Sequence, residues 1–148
     1  MSDFSRQQVK QLRLLLARQP IHAGEKSPEG FLLRYVFFEA VSKTVGKYYR
    51  ESIGRQSSMA SATKEVLQLP RVQKWLDHFA LQVHPEQLRT ILDSSLKYRG
   101  NKSARELRNG LVHQWSEKDA EEVISRFKML DRALVSVISA IDKAAKTA

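Results

Sequence analysis

Residues 116–148, SEKDAEEVISRFKMLDRALVSVISAIDKAAKTA, decide the fold class. Val123, Phe127, Leu130, Leu134, Val137 and Ile141 recur every three or four positions, the spacing that lines one face of a helix at about 3.6 residues per turn. Ser116 precedes this run and Asp119 follows it three residues on, which resembles a capping box, where a hydroxyl and an acid satisfy the first free N–H groups of a helix. The reading is a single last and longest helix that opens at Ser116 and keeps its spacing to the end.

Working back from there, Ser103 stands as N-cap before ARELRNGLVHQW, and YRGNK at 98–102 interrupts the helical pattern. Pro85, at a favoured first-turn position, opens a helix to Leu96, and shorter helices are expected over Arg71–Val83 and Thr63–Leu69. The small, polar and aperiodic stretch ESIGRQSSMASA at 51–62 reads as a surface loop. Before it, Ser27 as N-cap, Pro28 in the first turn and Glu29 beside the helix dipole begin a helix that runs to about Arg50, with Phe31, Tyr35, Phe38 and Val41 inward. The first helix starts after Ser2 or Ser5 and reaches about Arg18, with Val9, Leu12, Leu15 and Leu16 on one face. All four prolines fall between these segments or in their first turns and three of the six glycines fall between them, and no β-alternation or repeat period competes. The expected architecture is all-α, a single-domain helical bundle over residues 1–148.

Composition sets the chemical limits. At 42% hydrophobic and 28% charged residues, the chain is composed like a folded globular domain. Without cysteine it can have neither disulfides nor thiolate zinc sites nor a thiol nucleophile. The stretch MSDFSRQQVK lacks the layout of a secretory signal and no run is long and apolar enough to cross a membrane, so a cytoplasmic protein is expected. Lys and Arg number 25 against 16 Asp and Glu, a formal charge of +9. The charge thickens at Lys97, Arg99, Lys102, Arg105 and Arg108, opposed locally by Glu106 alone. Such a cluster favours a polyanion, nucleic acid above all; a solvated surface kept for solubility is the other reading.

No P-loop, dinucleotide-binding glycine fingerprint, GxSxG, HExxH or EF-hand motif is present, and no histidine has metal-ligand spacing. His22, His78 and His84 read as surface or partly buried histidines. His113 differs, since Arg108 precedes it by five positions and Asn109 by four. On a straight helix Arg108 and His113 lie about 140° apart, whereas Asn109 shares the face of His113. Gly110 could loosen the turn, and the long arginine could lean toward the helix end. The expected arrangement is a polar face of Asn109 and His113, with Leu107, Leu111 and Val112 turned to the core.

As a whole, RNGLVHQW at 108–115 closely resembles the signature of the HEPN superfamily: an arginine, a polar residue, a few further residues, then histidine. FLLRYVFFEAVSK at 31–43 is more loosely similar to the early HEPN helix that carries a glutamate. The resemblance implies an up-and-down four-helix core with extra short helices. It also implies a metal-independent endoribonuclease, free of cofactors, whose Arg-His site is shared across a homodimer. Carried over, the catalytic roles fall on Arg108 and His113, with Asn109 in support and Glu39 as an orienter of Arg108. RNA would then contact Lys97, Arg99, Lys102, Arg105 and Trp115. An imidazole, with its ordinary pKa near ~6.5, suits proton transfer at a ribose 2′-hydroxyl, and a guanidinium suits a phosphate.

Many such proteins serve in toxin–antitoxin or anti-phage defence, so an antitoxin or other regulatory protein is an expected partner. One subgroup places a tyrosine, which its antitoxin modifies, two residues after the histidine; Trp115 stands there instead. That regulation has no target at this position. Trp115 is expected to pack under the motif turn, with stacking on a base as the other reading. A catalytically inactive module that binds RNA or a protein is the alternative to the enzyme.

Overall fold

A computed structural model of the chain describes residues 5–52, 85–92 and 101–147. Among these residues the chain is all-α, with six helices and no strand: α1 (Arg6–Leu16), α2 (Pro28–Ser52), α3 (Pro85–Leu92), α4 (Ala104–Gln114), α5 (Glu117–Ser125) and α6 (Phe127–Thr147). The expected helices over Thr63–Leu69 and Arg71–Val83, the rest of the 51–62 loop beyond Ser52, and the extension from Leu92 to Leu96 lie outside the described residues.

Local capping chemistry sets the helix starts. Ser5 caps α1 with a complete capping box: its Oγ accepts from the Gln8 N–H (3.2 Å) and its own N–H donates to Gln8 Oε1 (3.0 Å). Ser27 Oγ accepts from the Gly30 N–H at 2.9 Å, which places the start of α2 where the Ser-Pro-Glu signal puts it. Position 30 admits only glycine, since a Cβ there would stand 2.0 Å from the Glu25 carbonyl oxygen.

The described helices divide into two compact units. One gathers α1, α2 from Phe38 onward and α6 from Val137 onward. Val9, Leu12 and Leu16 are buried on α1, as are Phe38, Val41 and Val45 on α2 and Val137, Ile138 and Ile141 on α6. Leu15, expected inward, is half-buried at the margin of the stripe. Arg13 donates from Nε to the Ala145 carbonyl (2.8 Å) and from a terminal nitrogen to that of Lys146 (3.0 Å). A cation thereby satisfies carbonyls that the end of α6 leaves free.

The other unit gathers the loop from Pro20, α2 through Phe37, α3, α4, α5 and α6 through Ser136. Arg34 Nε donates to Asp131 Oδ1 at 2.8 Å, tying α2 to α6. Phe31 and Tyr35 are buried with ring centroids 6.1 Å apart. Helix α4 packs against both α3 and α5.

The single last helix expected from Ser116 onward is in fact two. Arg126 (φ −111°, ψ 15°) ends α5, and α6 opens at Phe127. The break coincides with Arg126 donating to the Lys102 carbonyl (2.7 Å) and to Glu122 Oε2 (2.6 Å). One non-helical residue leaves the apolar spacing intact: Val123, Phe127 and Leu130 are all buried.

Candidate functional site

The signature residues lie on α4, whose start is firmly fixed. Ser103 Oγ accepts from the Glu106 N–H (3.2 Å), and Glu106 Oε1 accepts from the Ser103 N–H (3.0 Å), so Glu106 is engaged in a reciprocal cap. Ala104, Leu107 and Leu111 are buried. At about 100° per residue they span an arc of about 60°, and Arg105, Arg108, Asn109, Val112 and His113 span about 140° on the opposite side. The five are exposed or half-buried.

Two expectations change here. Val112 is 52% exposed and not part of the core; it lies about 140° around the helix from Leu107 and about 100° from Leu111, which rotates it onto the arginine–histidine side. Nor does Gly110 loosen the helix, since α4 runs unbroken from Ala104 to Gln114. Its role is room. A Cβ at position 110 would stand 1.7 Å from Asp119 Oδ2, so the missing side chain is what lets α5 bring a buried carboxylate against α4.

Asp119 anchors a polar cluster that spacing alone did not reveal. Its carboxylate, 4% exposed, accepts from Lys102 Nζ at 2.6 Å. Ser116 Oγ accepts from the Asp119 N–H (3.2 Å), but the acid side chain turns to Lys102, so the expected capping box is only half formed. Glu122 Oε2 accepts from the Lys102 N–H (3.0 Å) and from Arg126. The hydrogen bond to Asp119 holds the Lys102 ammonium above its ordinary value of 10.5, helped by the charges of Asp119, Glu122 and Glu106 and opposed by burial. Arg126 and the contact of Asp119 with Lys102 and Gly110 are what sequence reasoning missed; a glycine inside a helix facing a Ser-x-x-Asp start was the available signal.

On the open side, an Arg108 terminal nitrogen donates to Asn109 Oδ1 at 2.9 Å, so the guanidinium leans toward the histidine side of the helix. Arg108 Nε is buried without an acceptor among the described residues. His113 is exposed in the last turn, and no hydrogen bond or ion pair holds its ring among the described residues. Arg105 is exposed. Lys97 and Arg99 lie outside the described residues, as do His78 and His84. Glu39 belongs to the first unit, half-buried and 3.8 Å from Lys43 Nζ one turn along α2. His22 is exposed in its loop, with Nδ1 2.6 Å from Glu25 Oε1.

Trp115 ends α4. It adopts left-handed backbone (φ 45°, ψ 56°), the one positive φ at a non-glycine residue among those described. The residue is 44% exposed, so it is covered over part of its surface and open to solvent over the rest.

Among the described residues, no group of three His, Asp or Glu side chains is placed to hold a metal ion, and no helix is long and apolar enough to cross a membrane. The fold and this face define an all-α protein with a guanidinium, an amide and an imidazole on the open side of one helix. Compared with family models, curated proteins and solved structures, the chain matches none.

Proposed function

We propose that the chain is a metal-independent endoribonuclease of the HEPN type, acting through Arg108, Asn109 and His113. One observation carries the reading: the three polar residues of the signature share the open side of α4, with Arg108 drawn toward the histidine side by its bond to Asn109 Oδ1. An exposed imidazole, a half-buried guanidinium on the same side of α4 and a net charge of +9 suit an RNA phosphodiester.

RNA carries its own nucleophile. A neutral imidazole removes the 2′-hydroxyl proton, the 2′-oxygen attacks phosphorus, the bond to the 5′-oxygen breaks, and a protonated imidazole gives that oxygen its proton. The products are a 2′,3′-cyclic phosphate and a 5′-hydroxyl. Arg108 stabilises the charge that builds on the phosphate oxygens. The acid and the base are two copies of His113 in a homodimer. A role in toxin–antitoxin or anti-phage defence, with a regulatory protein as partner, rests on the HEPN resemblance alone.

The test is cleavage of single-stranded RNA with EDTA present. Cyclic-phosphate ends are expected, together with loss of cleavage when the scissile 2′-hydroxyl is replaced by hydrogen. Cleavage that survives that replacement would refute the mechanism.

A second reading is a catalytically inactive module that binds RNA through the same face. It is favoured by the His113 ring, which no partner orients among the described residues. Under it, the protein binds RNA in a salt-dependent manner and leaves it intact.

A further inference from the structure

The last residue of the motif turn has a conformation and an exposure that the fold does not call for. Left-handed backbone at a helix C-terminus is where glycine is favoured, because a Cβ is crowded there. Trp115 occupies that position at φ 45°. Two backbone bonds close the turn: the Trp115 N–H donates to the Leu111 carbonyl (3.0 Å) and the Ser116 N–H to that of Gly110 (3.2 Å). Glycine would make both bonds without strain. Burial explains the indole only in part, since Trp115 is 44% exposed beside exposed Val112, His113 and Gln114.

The surroundings select a ligand chemistry. Trp115 follows His113 by two residues, at the end of the face that carries Arg105 and Arg108. Cations suited to phosphates next to an exposed aromatic surface are the combination that holds single-stranded nucleic acid, with the backbone on the cations and a base stacked on the ring. A helical duplex keeps its bases stacked on one another and offers none to the indole.

We propose that Trp115 is a base-stacking platform that makes single-stranded RNA the ligand of this face and seats one nucleotide beside His113. The inference rests on the ribonuclease reading only for what then happens to the strand.

The experiment measures fluorescence anisotropy of a short, uncleavable 2′-O-methyl single strand and of its matched duplex, using the parent, Trp115→Gly and Trp115→Phe. Thermal midpoints and sedimentation are recorded for the same proteins. Trp115→Gly is expected to bind the single strand about 5- to 150-fold more weakly, the equivalent of one base–aromatic stack. Its duplex affinity stays at the parent's level, its thermal midpoint does not fall, and Trp115→Phe stays close to the parent.

The proposal is overturned if Trp115→Gly binds the single strand as the parent does. It is equally overturned if the thermal midpoint falls while affinity holds, which makes the indole a packing residue. A third contrary result is changed sedimentation with unchanged affinity, which makes Trp115 a contact with a second copy. Cleavage of natural RNA by the parent that is lost in His113→Ala, together with normal binding by Trp115→Gly, would sink this inference and leave the ribonuclease reading standing. Trp115-dependent binding without cleavage would do the reverse, and a parent that binds no single strand refutes both.

Discussion

The two ends of α4 are built in opposite ways. At the N-terminal end, Ser103 and Glu106 cap each other, while Lys102, Asp119, Glu122 and Arg126 close a network of short polar contacts around a buried carboxylate. At the C-terminal end, Val112, His113 and Trp115 stand exposed, and the last of them is held in a conformation that disfavours its own side chain. Local choices that agree with one another specify a fold, and places where they disagree are where function is expected. The contrast teaches that the capped start of this helix and the Asp119 contact at Gly110 contribute stability, while its open side, ending at His113 and Trp115, offers chemistry.

That division breaks most visibly in Arg108→Ala. It should lower RNA cleavage about 100- to 1,000-fold, in line with loss of a donor to developing charge, while circular dichroism and the thermal midpoint stay near the parent's. A large fall in stability would instead make Arg108 part of the scaffold.

Gly110→Ala strikes the other side of the comparison. Its Cβ would overlap Asp119 Oδ2 and force the carboxylate away from Lys102, so denaturant titration should show a loss of ~2–4 kcal/mol. The double variant with Asp119→Ala should lose less than the sum of the two single effects, because both act on one contact.

How legible this was depended on how local each interaction is. The starts of α1, α2, α4 and α5 could be read because Ser5, Ser27, Ser103 and Ser116 act within three residues of themselves. The open face of α4 was legible for Asn109 and His113, since i and i+4 share a side. Val112 was misassigned because its neighbour Leu111 is buried and a difference of about 100° decides between core and solvent. The break at Arg126 was hidden because apolar spacing survives a single non-helical residue. The use of Gly110 was signalled only indirectly, by a glycine inside a helix, since it depends on a carboxylate from another helix. Nor could the left-handed Trp115, because no local rule places a tryptophan there.

Smaller effects sharpen the picture. Ser103→Ala should cost ~1 kcal/mol in denaturant titration, the usual loss of an N-cap, with cleavage retained. A comparable loss of cleavage would mean that the two ends are not separable.

The smallest effect is one of pH. Folding makes Lys102 hold its proton more tightly, above the ordinary 10.5. The contribution is therefore fully present below that value and lost as pH rises through the higher folded value. Comparing the thermal midpoints of the parent and Lys102→Met across alkaline pH should show the difference between them shrinking as pH rises. A constant difference would place the contribution of Lys102 in packing.

The most direct test of the account pairs cleavage with stability in His113→Ala. With EDTA present and single-stranded RNA as substrate, the account predicts that cleavage falls at least ~100-fold while the thermal midpoint stays at the parent's value. Undiminished cleavage by a folded His113→Ala protein would contradict it, as would cleavage and stability falling together.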